Sequence, residues 1–293
     1  MLRSTFLHLS GVGPWTEAQL WRSGVTDWET FLERAEVPGI SGDRKSRFDT
    51  ELRLGQSALA ARSADWFADR LPTSEHWRLY EAFRSETAFL DIETTGLSPY
   101  DGIVTVVTVH GGGRTRSFVA DEDLEELPAY LGRYRVLCSF NGIYFDVPFL
   151  EVAFPQWVAP RAHIDLRFVL RRLGYSGGLK RIEQVLGLGD RSGVEGVDGF
   201  QAVQLWHDYR RGNRAALDRL VRYNRADTVN LESLLEFGVA ELEERLWPME
   251  RPRRIEDWGG LSPRPARPRP GAAGRSPAGG APSAGAPAPA TSA

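Results

Sequence analysis

The chain has 293 residues, 42% hydrophobic and 26% charged, with a net charge of −3; this suffices for a sizeable core and excludes a basic nucleic-acid coat. The single cysteine, Cys138, excludes an internal disulfide and suits a reducing compartment. With no signal-peptide-like apolar run and no segment long enough to span a bilayer, the chain reads as cytoplasmic, with no membrane partner.

From residue 3 to about 85 the pattern is that of a helical module. In Leu9-Ser-Gly-Val-Gly-Pro-Trp15 a glycine turn leads into a helix, Gly24 stops it, and a second helix runs to about Leu32. Thr16 with Glu17 reads as a helix start, and Thr26 to Glu29 has the spacing of a capping box. The stretch resembles a helix-hairpin-helix element, in which backbone N–H groups of a Gly-x-Gly turn receive a phosphate at a helix N-terminus. Equally, Trp15, Trp21 and Trp28 could simply form the core of a small helical module. Two further helices are expected around 43–71 and 74–85, with Pro72 as the break.

The next stretch, Ala88-Phe-Leu-Asp-Ile-Glu-Thr-Thr-Gly-Leu97, reads as a buried strand ending in a loop. Strand alternation puts Asp91 and Glu93 on one side and Leu90 and Ile92 on the other. Two carboxylates side by side on a central strand oppose each other's ionisation, and a divalent cation relieves this. Oxygen-only ligands suit Mg²⁺ or Mn²⁺ rather than zinc. On an edge strand the same pair would be two solvated acids. A β-branched run over 102–110, the Gly111-Gly-Gly113 turn and a strand over 114–120 read as a hairpin. An amphipathic helix follows over 121–134, with Asp121 and Asp123 as candidate caps, then a short strand over 136–140. Beyond Asp146 helices dominate, with one more strand near 163–166, where His163 and Asp165 read as structural polar groups. The segment 177–188 opens a helix in which Lys180 could meet a phosphate, or be an ordinary surface lysine. Three antiparallel strands followed by strand–helix alternation point to an α/β layered fold.

Two more acidic motifs bear on the choice. In Phe140-Asn-Gly-Ile-Tyr-Phe-Asp-Val-Pro-Phe-Leu150, Asn141 and Gly142 make a turn and Asp146 takes an N-cap position; alone, this is only a capped helix. In 217–231, Leu217, Leu220 and Leu231 mark a helix's inward stripe. Tyr223 and Asp227, four apart, share a face close to it, and an unpaired buried aspartate needs a reason. Together, Asp91-x-Glu93, Asn141-x-x-x-Phe145-Asp146 and Tyr223-x-x-x-Asp227 resemble the three motifs of the DEDD 3′→5′ exonuclease superfamily. The tyrosine is the mark of its DEDDy branch; the histidine branch would use the position of Arg222. The runs DIETTGL and NGIYFDVPFL look closest to family B DNA polymerase proofreading domains and stand-alone bacterial ribonuclease H-like proteins.

The resemblance covers 87–246 and implies an RNase H-like fold, a mixed five-stranded sheet flanked by helices. The expected domains are a helical module (1–85), the exonuclease domain (86–248) and a tail (249–293). It implies two divalent cations, Mg²⁺ or Mn²⁺, bridged by Asp91, with Glu93 and Asp227 completing the site of the attacking water. Asp146 would hold the second ion and Tyr223 would orient the water. Thr94 and Leu97 would touch the terminal nucleotide, and Asn141 and Phe145 the strand leading to it, although Leu97 and Phe145 could equally be core residues. The implied reaction releases nucleoside monophosphates from single-stranded or frayed 3′ ends of DNA or RNA. The alternatives are a non-catalytic nucleic-acid-binding module and a structure-selective endonuclease with the same metal site. No polymerase, helicase or Walker-type signature is present, so proofreading in cis is not expected. From about residue 251 the chain holds seven arginines against Glu256 and Asp257, a local +5, and nine of its 18 prolines. It is expected to be disordered, serving a phosphate backbone, a protein partner or no partner at all.

Overall fold

The fold of the computed structural model, which describes residues 1–194 and 196–247, is organised by one five-stranded sheet. Four helices come first: α1 (Pro14–Arg22), α2 (Trp28–Glu33), α3 (Gly42–Ala60) and α4 (Ala64–Ala68). A 3-10 segment (Thr73–Leu79) and α5 (Tyr80–Phe83) lead into β1 (Thr87–Thr94), β2 (Val104–Gly111) and β3 (Arg114–Val119). Then come α6 (Leu127–Leu131), β4 (Val136–Ser139), α7 (Asp146–Ala153), β5 (His163–Asp165) and α8 (Leu166–Arg172). The helices α9 (Leu179–Leu186), α10 (Gly199–Arg210) and the 33-residue α11 (Arg214–Leu246) complete the order.

The strands lie in the order β3-β2-β1-β4-β5. β1 is central, antiparallel to β2 and parallel to β4, and β4 is parallel to β5. This is the mixed five-stranded sheet that the resemblance implies. Gly112 and Gly113 both have positive φ (57° and 73°), which closes the β2–β3 hairpin in the two-residue form whose twist matches its strands.

Alternation along β1 decides what each face meets. Leu90 and Ile92 join Val107, Phe118, Leu131 of α6 and Phe149 and Leu150 of α7 in one apolar layer. On the other face, Phe89 shares a core with Cys138 and Ile164, with Leu170 of α8 and with Leu231, Leu234 and Leu235 of α11. That core continues through Phe6, Trp28, Phe31 and Phe48 of the N-terminal helices. Among the described residues no helix is long and apolar enough to cross a membrane.

Several local expectations are corrected. Trp21 and Trp28 are buried, but Trp15 is 74% exposed, because the first turn of α1 points it outward. The cap of α2 is Asp27, which accepts from the Thr30 N–H at 2.7 Å, rather than Thr26. The helix expected over 43–71 breaks at Arg62, whose φ is +55°, and the one expected over 74–85 is largely 3-10. The helix expected over 121–134 shortens to a 3-10 turn and α6; Asp123 takes the N-cap position of that turn, but its side chain accepts from the Val119 N–H rather than from the turn. The tail expected to be disordered lies outside the described residues.

A buried ionic network ties α1 to the 3-10 segment Thr73–Leu79 and to α8. Arg78 meets Glu17 of α1 at 3.0 Å and Glu75 at 2.7 Å, and donates to Thr5 Oγ1 at 2.9 Å. Glu75 in turn receives Arg172 of α8 at 2.6 Å. Removing one member leaves buried charge uncompensated, so Arg78→Ala should cost about 3–5 kcal/mol. Urea unfolding measures this, and a loss under about 1 kcal/mol would mean that the network is solvated.

Candidate active site

The two acids of β1 point away from Leu90 and Ile92, toward α11, as alternation demands. There Asp91, Glu93 and Asp227 of α11 each offer a carboxylate oxygen within 4.8 Å of the others. Glu93 and Asp227 are buried, Asp91 half-buried. Asp146 enters from α7 and is also buried; it is the first residue of that helix, and Phe145 takes the cap position. Its carboxylate draws on the backbone N–H of Ile92 and on its own, and it is close enough to disfavour the charge of Asp91.

The loop that presents Asp146 is shaped by residues at the ends of β4 and β5. Asp165 accepts from the backbone N–H of Asn141 at 2.8 Å, of Ile143 at 3.3 Å and of Arg167 at 3.0 Å. Asn141 takes a left-handed conformation, φ +66°. At Gly142 a Cβ would lie 2.1 Å from Ser139 Oγ and 3.1 Å from Asp146 Oδ2, so only glycine lets the loop close over the strand end. Ser139 is itself held by His163 Nε2 at 2.7 Å. His163 and Asp165 are thus structural polar groups, as their sequence context suggests.

Burial and mutual repulsion dominate the electrostatics. The Asp91 carboxyl is raised well above its ordinary range by desolvation and then by Asp227, Asp146 and Glu93. Burial, reinforced by Asp227, pushes Glu93 up to about 8, and burial pushes Asp146 up to about 7. The Tyr223 hydroxyl is raised as well, by burial and by Asp227, Glu93 and Asp91. An all-carboxylate set that resists its own ionisation suits a hard divalent cation, and Asp91, Glu93 and Asp227 stand close enough together to offer it oxygen donors.

The remaining residues singled out in the sequence disperse around this centre. Thr94 Oγ1 donates to the Gly96 carbonyl at 2.6 Å, and Leu97 is 91% exposed in the β1–β2 loop, so it is no core residue. Asn141 Oδ1 accepts from Arg167, while Phe145 packs on Phe149 with ring centroids 4.9 Å apart. Lys180 donates to the Val197 carbonyl and lies over the Tyr223 ring, 4.4 Å from its centroid.

Three residues at the site escaped the sequence reading. Asn224, fully buried, donates Nδ2 to Asp91 at 2.8 Å and also stabilises the Glu93 carboxylate. Arg191, on the loop between α9 and α10, pairs with Asp227, and its Nε donates to Glu183 at 2.5 Å. Asn224 stands beside Tyr223 and was available to a helical-face argument; Arg191 and Glu183 meet only through the tertiary fold.

The RNase_H_2 profile of the RNase_H superfamily matches residues 88–237, about half of the chain and all three acidic motifs. The chain belongs to the RNase_H superfamily. No curated protein matches it. Among solved structures, a family B DNA polymerase from the archaeon Pyrobaculum calidifontis is 20% identical with a TM-score of 0.42, over 52% of this chain and 25% of the polymerase. This chain therefore spans only a quarter of that relative's length. A nuclease in its apo form is 19% identical with a TM-score of 0.42, over 55% of this chain and 75% of the nuclease. Brucella melitensis NrnC with bound Mg²⁺ is 21% identical with a TM-score of 0.30, over 57% of this chain and 88% of NrnC.

Within this RNase_H-superfamily site the raised carboxylates carry a pH signature. Glu93 at about 8 and Asp146 at about 7 keep protons that the unfolded chain, with ordinary carboxylates near pH 4, has lost. Stability of the metal-free protein therefore falls as pH rises from about 4 to 8, and a cation bound by the ionised acids offsets that loss most at the alkaline end. Thermal melts in EDTA should show a lower midpoint at pH 8 than at pH 5, with Mg²⁺ raising the midpoint more at pH 8. Equal Mg²⁺ shifts at the two pH values would mean that these acids are not the cation site.

Proposed function

We propose that the protein is a metal-dependent 3′→5′ exonuclease of the DEDDy type, releasing nucleoside monophosphates from single-stranded or frayed 3′ ends. The observation that carries this reading is the convergence of Asp91, Glu93 and Asp227 within 4.8 Å, with Asp146 and Tyr223 facing the same carboxylates. Asp91 lies within the field of Asp227, Asp146 and Glu93, which suits the role of a carboxylate shared between two cations. Glu93 and Asp227 would complete one cation position and Asp146 the other. When bound, two Mg²⁺ or Mn²⁺ ions supply an activated water and neutralise the charge on the attacking and leaving oxygens. Tyr223, with its pKa raised, stays an O–H at neutral pH, so it orients the water through a hydrogen bond and does not take its proton.

On the substrate side, Thr94 ends the acid-bearing strand and the exposed Leu97 follows in the loop, and both suit a terminal nucleotide, with Asn141 and Phe145 along the nucleic-acid strand that leads to it. Lys180, engaged with Val197 and the Tyr223 ring, would meet a substrate phosphate. Residues 1–85 form the helical module of this reading. Gly13 caps α1 without a side-chain partner and Trp15 is exposed beside it, which suits a nucleic-acid backbone along this turn.

The test is degradation of 3′- and 5′-labelled single-stranded DNA and RNA with Mg²⁺ or Mn²⁺. Wild type should trim from the 3′ end, the Asp91→Ala, Asp227→Ala double variant should be inert, and Tyr223→Phe should lose about 10²-fold in rate. Cleavage of a circular strand would instead point to an endonuclease. Strand binding that survives EDTA, with wild type and double variant equally inert, would leave only a binding module.

A further inference from the structure

Besides Lys180, an arginine of the chain stands at the site. Arg191 sits on the loop after α9 with its guanidinium against the Asp227 carboxylate and its Nε on Glu183 Oε2 at 2.5 Å. Glu183 is 3% exposed, a further carboxylate buried beside a site already crowded with acids. Its burial is explained by what it holds: Glu183 takes Arg191 on one oxygen and Asn230 Nδ2 on the other, at 3.0 Å. Asn230, one turn beyond Asp227 on α11, also receives the Asp190 N–H at 3.0 Å and donates to the Asp190 carbonyl at 3.3 Å. The backbone beside Arg191 is therefore pinned to the same helix that carries Asp227.

The guanidinium is held by its root and incompletely partnered at its tip. Both terminal nitrogens are buried, and neither completes a hydrogen bond among the described residues, although NH1 is in ion-pair contact with Asp227. The ion pair with Asp227 occupies NH1, and the two N–H donors of NH2 are unspent. The charge count changes when cations arrive. With two divalent ions bound, the four carboxylates would be balanced, so Asp227 would no longer need Arg191, whose guanidinium the added positive charge would disfavour there. A planar fork of donors beside two cations matches the non-bridging oxygens of a phosphate.

We propose that Arg191 exchanges partners during the reaction cycle: it neutralises Asp227 in the cation-free protein and binds the substrate's terminal phosphodiester once cations occupy the carboxylates. This rests on the exonuclease reading above. Glu183 and Asn230 are the positioning residues that keep Nε and the loop in place while the tip of the side chain changes partner.

The test uses the full chain and measures binding of adenosine and deoxyadenosine 5′-monophosphate by calorimetry with Mg²⁺ present, and of Mn²⁺ without nucleotide. Arg191→Ala should weaken nucleotide binding roughly 10- to 100-fold, as expected for losing a hydrogen-bonded charge pair. It should bind Mn²⁺ at least as tightly as wild type, because a competing cation has gone. Arg191→Lys, which keeps the charge without the fork, should retain part of the nucleotide affinity and covers the case in which the alanine variant does not fold. Nucleotide binding unchanged in both variants would overturn the proposal. So would a parallel loss of Mn²⁺ binding, which would make Arg191 only a brace for Asp227. Strand degradation by wild type is scored separately. An active wild type with Arg191-independent nucleotide binding sinks only this inference; an inert wild type with Arg191-dependent binding sinks only the exonuclease reading.

Discussion

Four carboxyl groups brought together out of water set the terms for the rest of this structure. Each of Asp91, Glu93 and Asp146 has its ionisation opposed by burial, and each is further opposed by a neighbouring acid. Such a cluster survives only where the scaffold is rigid enough to hold it, because every member would gain by moving apart. The scaffold here is the central strand β1, paired with β4 over Thr87–Phe89 and with β2 along the acids, against the long helix α11. Asn224 and Arg191 partly offset the repulsion, one with a neutral donor on Asp91 and the other with a charge on Asp227. The site stores electrostatic cost that a hard divalent cation is suited to release.

The second acid-bearing element shows how much indirect support one side chain needs. Asp146 owes its position to a loop whose N–H groups converge on Asp165, whose glycine fits against Ser139, and whose serine is held by His163. None of these groups belongs to the cation cluster. Their alignment follows from parallel pairing of β4 with β5, which sets Ser139 opposite Asp165.

The parts of this arrangement that were legible in the sequence are those governed by short-range periodicity. Alternation on β1 placed Asp91 and Glu93 on one face, the i,i+4 relation placed Tyr223 and Asp227 together, and the glycine run marked the β2–β3 turn. Capping was less legible: Asp27 displaced Thr26, and Phe145 took the place expected for Asp146. Adjacent polar residues compete for such positions, and the outcome depends on the entry angle of the chain. The environment of Trp15 was misjudged as one of two alternatives because tryptophan's apolar surface says nothing about which side of a helix meets the core. Arg191, Glu183 and Asn230 were not legible at all. Their partnership joins two elements through a loop, and each residue alone looks like an ordinary polar surface position.

The apolar layer beneath β1 bears on the order in which the molecule can assemble. Phe6, Trp28 and Phe48 belong to the same cluster as Phe89, Ile164, Leu234 and Leu235. On the ribosome the N-terminal aromatics emerge first, yet their partners on α11 are the last part of the described chain to follow. Such non-local contacts slow folding and leave apolar surface uncovered during synthesis. Because α11 also carries Tyr223, Asn224 and Asp227, the docking event that seals this core also completes the acidic cluster. A nascent chain therefore presents no finished acidic cluster until its core is closed.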